Sequence, residues 1–85
     1  MERLLEVKVA CGLHARPGLK LVERIKKYTS DIFIEKDGKS VDAKSLFAVV
    51  SLGISQGSVI KVTATGEDEE QALDEIETFI KNQEN

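Results

Sequence analysis

The order of apolar and polar residues along this 85-residue chain predicts several short strands. Apolar residues alternate with charged ones over residues 5–9, and Ile32 and Ile34 alternate with Asp31, Phe33 and Glu35. Residues 59–65 likewise place Ile60, Val62 and Ala64 on one face, and this is the period of strands with one buried face. An Asp-Gly pair at 37–38 is typical of a two-residue hairpin turn, and residues 39–42 would form the returning strand. The pattern therefore predicts four strands, two of them joined by a tight turn.

The segment after residue 14 has the spacing of an amphipathic helix. Leu19, Val22 and Ile25 recur every three or four residues and predict a buried stripe. Pro17 suits the first turn, where its missing N–H costs nothing, so the helix is expected to begin around residues 15–17. The opposite face carries a basic stripe, which consists of Arg16, Lys20, Arg24 and Lys27.

Two further helices follow from capping residues and apolar spacing. Ser45 is a preferred N-cap, and the apolar segment 46–50 after it predicts one or two helical turns. The closing helix is expected to place Asp68, Glu69 and Glu70 in its first turn, where the helix dipole favours carboxylates. Its predicted apolar stripe consists of Ala72, Leu73, Ile76, Phe79 and Ile80.

The predicted element order is β-α-β-β-α-β-α over one domain, residues 1–85. A tight hairpin in the middle and helices between the other strands favour one antiparallel sheet with all helices on one of its faces. The predicted fold class is therefore α+β. A chain of this length buries only a small core, so we expect a surface site rather than an enclosed cleft.

Composition narrows the class of protein further. One cysteine excludes an internal disulfide, and no apolar run is long enough to cross a membrane or to serve as a secretory signal, so we expect a soluble cytoplasmic protein. The net charge of −3 argues against general nucleic-acid binding. The charge is nevertheless uneven, because basic residues dominate up to Lys27 and acidic ones dominate from Glu67 onward. The basic end is suited to an acidic partner surface.

The stretch CGLHARPG, residues 11–18, contains the only histidine of the chain. His14 directly precedes the predicted helix, whose first N–H groups stabilise an anion, and Arg16 offers a forked donor suited to phosphate. A neutral imidazole is a competent nucleophile, so this arrangement favours a phosphoryl acceptor. A solvated or capping histidine is the alternative. Cys11 and His14 have C-x-x-H spacing, but without a second ligand pair we expect no metal and no cofactor.

Two other classes of protein are alternatives to a phosphoryl acceptor. An acyl carrier would need an aspartate before the modified serine and a helical bundle, whereas Lys44 precedes Ser45 here and alternating strands dominate. A non-catalytic interaction module stays open, because only the pairing of His14 with Arg16 argues against it.

Three segments, GLHARPG, AKSLFAVVSLGISQGSVI and ATGEDEEQAL, together resemble the HPr family, the histidine-containing phosphocarriers of the bacterial phosphoenolpyruvate-dependent sugar phosphotransferase system (PTS). The resemblance extends over nearly the whole chain. It implies an open-faced β-sandwich, a four-stranded antiparallel sheet with three helices on one face. It also implies a monomeric phosphoryl carrier with a phosphohistidine intermediate rather than a stand-alone enzyme.

The resemblance also implies roles for individual residues. His14 would be phosphorylated on Nδ1 by enzyme I and would pass the group to sugar-specific EIIA components, with Arg16 stabilising the phosphate. Ser45 matches the serine modified by HPr kinase/phosphorylase. The protein phosphorylated at Ser45 would bind a catabolite-control transcription factor. The docking surface for partners would comprise Leu46, Phe47, Val50, Lys20, Arg24 and Lys27. A regulatory relative acting in catabolite repression through Ser45 is the alternative, although that relative lacks the histidine.

Overall fold

The computed structural model describes the backbone of residues 1–8 and 15–82 and the side chains of residues 1–8 and 17–81. The predicted order of seven elements is confirmed. The elements are β1 (Glu2–Glu6), α1 (Ala15–Ile25), β2 (Asp31–Lys36), β3 (Lys39–Asp42), α2 (Leu46–Ser51), β4 (Val59–Thr65) and α3 (Glu69–Asn82). None of the helices in these ranges is long and apolar enough to cross a membrane.

The four strands form one antiparallel sheet in the order β1-β4-β2-β3. The hairpin between β2 and β3 is confirmed. Asp37 and Gly38 both have positive φ, 53° and 83°, which is the backbone of a type I′ turn and explains why this pair is favoured there.

The first strand differs from its prediction of residues 5–9. It spans Glu2–Glu6, because β4 is its ladder partner over exactly those five residues. Val7 leaves this ladder and instead exchanges backbone hydrogen bonds with the turn before β4, where its N–H donates to Ser58 O and its oxygen accepts from Gly57 N, both at 2.8 Å. Val9 lies outside the described residues.

The core lies between the sheet and a layer of three helices on one of its faces. Ile34, Ile60 and Val62 from the central strands are fully buried, as are Leu73 and Ile76 of α3. Helix α1 packs against both α2 and α3, while α3 also contacts β1 and β4. The arrangement leaves the other face of the sheet without a covering layer among the described elements.

The buried stripe of α1 excludes Leu19, which the predicted stripe contains, and includes Gly18 and Leu21, which it lacks. Leu21 is fully buried with Val22 and Ile25, whereas Leu19 is 45% exposed. The spacing that packs is 18, 21, 22 and 25, the i, i+3, i+4, i+7 stripe of a helix, and Leu19 falls beside it. The prediction that Leu19 belongs to the core is therefore wrong.

The start of α3 also differs, because the helix begins at Glu69 and Asp68 precedes it. The Asp68 carboxylate accepts hydrogen bonds from the backbone N–H groups of Thr29 (2.9 Å) and Ser30 (3.0 Å) and from the Ser30 hydroxyl. These hydrogen bonds lower the pKa of Asp68 to about 2, and the bond from the Ser30 hydroxyl has the largest effect. Asp68 thus ties the segment before β2 to the segment before α3. A Cβ at Gly66 would lie 2.6 Å from Ser30 Oγ, so this approach needs a glycine.

Candidate functional site

Helix α1 begins at Ala15, the residue that follows His14 in the sequence, as the position of Pro17 predicted. Its first turn contains no acidic residue, so no carboxylate of that turn competes for its unpartnered N–H groups. The helix end is therefore suited to an anion. His14, Cys11 and the side chain of Arg16 lie outside the described residues, and their roles stay predictions.

Backbone hydrogen bonds connect Val7 and Lys8, the residues before segment 9–14, to two other parts of the chain. The N–H of Lys8 donates to the carbonyl of Ile80 near the end of α3, at 3.2 Å. Val7 is paired with the turn at residues 57–58. Lys8, which precedes the segment, therefore lies beside the last turn of α3, and Ala15, which follows the segment, begins α1.

The described residues of the basic stripe, Lys20, Arg24 and Lys27, are exposed, and two of them contact α3. Lys20 and Arg24 lie on the outer side of α1, and Lys27 follows the helix. The Arg24 guanidinium carbon is 5.5 Å from the centroid of the Phe79 ring, within the range of a cation–π contact. Lys27 Nζ is 3.1 Å from Glu75 Oε1. Lys20, nearest the start of α1, has no salt bridge within the described part of the chain.

Glu75 connects the end of α1 to α3 through a second partner. The Tyr28 hydroxyl donates to Glu75 Oε1 at 2.5 Å. This hydrogen bond is the main cause that raises the pKa of Tyr28 to about 12 and lowers the pKa of Glu75. Lys44 Nζ donates to the backbone oxygen of Tyr28 at 2.7 Å, so the turn after α1 is held from α3 and from the approach to α2.

Ser45 is the N-cap of α2, as predicted. Its backbone is extended, with φ −105° and ψ 113°, and its Oγ accepts from Ala48 N at 3.4 Å. The other end of the helix is held by Lys36, whose Nζ lies 3.5 Å and 3.4 Å from the carbonyls of Leu52 and Gly53. Ser45 as a whole residue is half-buried.

The apolar residues of α2 divide into three environments. Val49 is fully buried, and Leu46 is half-buried and packs against the core. Phe47 is 89% exposed, while Val50 is half-buried. Of the residues expected to dock partners, Phe47 is therefore the one that presents nearly its whole side chain.

Leu19 is a surface residue that the sequence analysis assigned to the core. It is adjacent to Lys20 in the sequence and lies on α1, which packs against α2, the helix that carries the exposed Phe47. The better fit of residues 18, 21, 22 and 25 to a helical stripe could have identified it. The helical layer thus presents two exposed apolar side chains, Leu19 and Phe47, together with the basic residues of α1.

No group of three histidine, cysteine or carboxylate side chains that could hold a metal ion occurs among the residues that the structure describes. The chemistry of the described surface is instead that of a helix N-terminus with cationic and apolar neighbours.

Comparison with known proteins gives one consistent result. Residues 1–82 match the family model described as "PTS HPr component phosphorylation site". The HPr-like protein Crh of Bacillus subtilis (strain 168) is 39% identical over 83 residues, which is 98% of each chain. Phosphocarrier protein HPr of Buchnera aphidicola subsp. Acyrthosiphon pisum is 46% identical over 77 residues, 88% of this chain and 91% of the relative.

Solved structures are similar over the same length. A crystal structure of a phosphocarrier protein HPr from Bacillus anthracis str. Ames superposes with a TM-score of 0.92 at 40% identity, covering 94% of this chain and 95% of that one. An HPr dimer from Thermoanaerobacter tengcongensis has a TM-score of 0.78 at 44% identity, covering 93% and 91%. The similarity extends to the four-stranded antiparallel sheet with three helices.

Proposed function

The chain belongs to the HPr family of the PTS, and from that membership we propose that it carries phosphoryl groups on His14, from enzyme I to sugar-specific EIIA components. The observation that carries the proposal is the start of α1 at Ala15. In the sequence the only histidine of the chain directly precedes this helix start, and the first turn of α1 has no acidic residue. The proposed carrier is a single domain over residues 1–85.

In the proposed reaction the neutral imidazole acts as the nucleophile. Nδ1 of His14 donates its lone pair to phosphorus as the bond between the phosphoryl group and enzyme I breaks. In a second displacement a nucleophile of EIIA attacks phosphorus as the bond to Nδ1 breaks, which restores the neutral imidazole. The N-terminus of α1 and the Arg16 guanidinium would stabilise the phosphoryl oxygens. Positioning and charge stabilisation dominate phosphoryl transfer, so a surface site suffices when the partner supplies the rest.

The docking surface proposed for both partners is the outside of the helical layer near His14. It comprises Lys20, Arg24 and Lys27 with the apolar side chains of Leu46, Phe47 and Val50. The exposure of Phe47 and of the α1 cations supports this assignment. Long-range attraction to an acidic partner would accelerate encounter and would weaken with salt.

Ser45 is proposed as a regulatory phosphorylation site for HPr kinase/phosphorylase. A phosphate there would lie at the start of α2, where the helix N–H groups favour negative charge. The Lys44 ammonium is engaged by the Tyr28 carbonyl, so the N–H groups of α2 remain as the main local compensation. The added charge would act on partners rather than on the fold, by repelling an acidic docking surface.

A regulatory role like that suggested by the name of Crh is the second candidate function. It is supported by the match to an HPr-like protein Crh over 98% of both chains. His14 favours the carrier, because the regulatory relative lacks the histidine. A phosphoserine-45 form that binds a catabolite-control transcription factor would be common to both candidates. We propose a monomer as the working state.

The deciding experiment is incubation with enzyme I and phosphoenolpyruvate, followed by mass measurement of the intact chain. We expect wild type to gain one acid-labile phosphoryl group and His14→Ala to gain none while its circular dichroism stays unchanged. Ser45→Ala is the matched control, and it should label as wild type does. Full labelling of His14→Ala would overturn the site, and an unlabelled wild type would favour the regulatory candidate.

A further inference from the structure

The sheet has a face that no helix of the described chain covers, which we call the open sheet face. Side chains alternate along each strand, and the core residues Leu5, Ile34, Val41 and Ile60 define the covered face. The open sheet face therefore consists of Glu2, Leu4, Glu6, Asp31, Phe33, Glu35, Ser40, Asp42, Val59, Lys61, Thr63 and Thr65.

Three large apolar side chains lie exposed on this face. Leu4 on β1 is 73% exposed, Val59 on β4 is 60% exposed, and Phe33 on β2 is 45% exposed. In the ladder, Leu4 of β1 is paired with Lys61 of β4, the strand that also carries Val59. On the other side of β4, Phe33 of β2 is paired with Thr63. Apolar surface is thus spread over three adjacent strands whose positions are fixed by the ladder.

The charge of the open sheet face is strongly negative. It carries five carboxylates, Glu2, Glu6, Asp31, Glu35 and Asp42, and one ammonium, that of Lys61. Lys61 Nζ lies 3.8 Å from Glu35 Oε1, and Lys8, beyond the end of β1, lies 3.1 Å from Glu6 Oε1. Glu2, Asp31 and Asp42 have no salt bridge within the described ranges, so an incoming cation would not have to displace an ammonium or guanidinium group from them.

Phe33 is the point at which the apolar surface and the negative charge coincide. Asp42 is its direct neighbour across the β2–β3 ladder, and Asp31 and Glu35 flank it two residues away on the same face. Side chains at such positions are about 5 Å and 7 Å apart. An arginine is the ligand that fits, because its planar guanidinium stacks on an aromatic ring while its N–H groups reach carboxylates.

We propose that the open sheet face docks a basic segment of a partner protein, with an arginine stacked on Phe33 between Asp31 and Asp42 and with apolar side chains on Leu4 and Val59. Charge complementarity selects this occupant, since five carboxylates and one ammonium repel the acidic surfaces suited to the basic stripe of α1. The proposal does not rest on His14 chemistry. Because the face lies on the opposite side of the sheet from α1 and α2, both sides can hold a partner at once.

The test is a titration of the full chain, labelled with ¹⁵N, with a synthetic peptide of alternating arginine and leucine at low salt. We expect amide shifts centred on β1, β2 and β4. Phe33→Ser should weaken binding roughly fivefold to tenfold, as loss of a cation–π contact and its apolar surface implies. Phe47→Ser removes an equally apolar ring from the helical layer and is the matched control, which should bind as wild type does.

Further arms distinguish the alternatives. A peptide with glutamate in place of arginine should not bind, and Asp31→Asn should weaken the arginine peptide without changing the fold. Shifts centred on the carboxylates of α3, or equal losses for Phe33→Ser and Phe47→Ser, would overturn the proposal in favour of unspecific attraction. Concentration-dependent broadening of β2 and α1 signals in the free protein would identify a second copy as the occupant and would also overturn it.

Discussion

The two outer surfaces of this molecule each expose a phenylalanine ring, but the charged side chains of the two surfaces have opposite signs. On the helical layer, Phe47 is exposed on α2, which packs against α1, the helix that carries Lys20 and Arg24. On the open sheet face, Phe33 lies among Asp31, Glu35 and Asp42. An exposed ring alone does not choose a partner, whereas the charges around it do. A chain with a net charge of only −3 can thus offer one surface to acidic partners and another to basic ones.

The surfaces also differ in how their side chains are held. Cations of the helical layer contact other elements, such as Lys27 with Glu75 on α3, so their positions depend on how the helices pack. Positions on the open sheet face are set by the ladder of β1, β4, β2 and β3. Disturbing the core should therefore affect both surfaces, while surface substitutions should affect one.

The largest expected effect is on the free energy of unfolding, and it comes from a core substitution that affects both surfaces. Ile34→Ala truncates a fully buried side chain on the central strand β2 and should lower the free energy of unfolding by about 2–5 kcal/mol. Chemical denaturation with urea measures this loss. Ile34→Val is the graded control, expected to cost about 0.5–1.5 kcal/mol. If Ile34→Ala unfolds at the wild-type denaturant midpoint, Ile34 does not belong to the shared core.

A smaller effect is expected on the affinity for enzyme I, and it should depend on which of the two surfaces receives one added negative charge. Ser45→Asp keeps an N-cap at α2, so its thermal midpoint should stay near that of wild type. Its affinity for enzyme I should fall severalfold at low salt, because the carboxylate repels an acidic docking surface, and the loss should shrink as salt screens it. Isothermal titration calorimetry at two salt concentrations measures both.

Ser40→Asp is the matched control, since it adds the same charge at an exposed position of β3 on the open sheet face. It should leave the affinity for enzyme I unchanged. Equal losses for Ser40→Asp and Ser45→Asp would show that net charge, rather than its location, governs docking.

The smallest effect concerns the pH dependence of the contact between the α1–β2 turn and the start of α3. The folded state lowers the pKa of Asp68 to about 2, below its ordinary value near 4, so the folded state favours the ionised form. The stabilisation is complete above the ordinary pKa and is lost as pH falls through about 4 towards 2. Thermal unfolding between pH 6 and pH 2 should therefore show a shallower acid loss for Asp68→Asn than for wild type. Glu70→Gln is the matched control, because it removes an exposed carboxylate that accepts no hydrogen bond from Thr29 or Ser30.

Local patterns predicted the elements whose conformation depends on near neighbours. The Asp37-Gly38 turn, the Ser45 cap and the alternation of β4 were predicted correctly, because each is decided within a few residues. The element order and the single-layered sheet followed from them. The motif at His14 and the start of α1 were also evident in the sequence, since a histidine before a proline-bearing first turn is a local feature.

Tertiary structure decided the features that depend on residues distant in sequence. Asp68 lies before α3 because Thr29 and Ser30 supply its hydrogen bonds from almost forty positions away, a contact that no local pattern contains. The ladder with β4 likewise determines where β1 ends. The sequence by itself determined which segments become strands and helices. Only the fold decided which residues share a surface, because that depends on how the strands pair and on which face the helices cover.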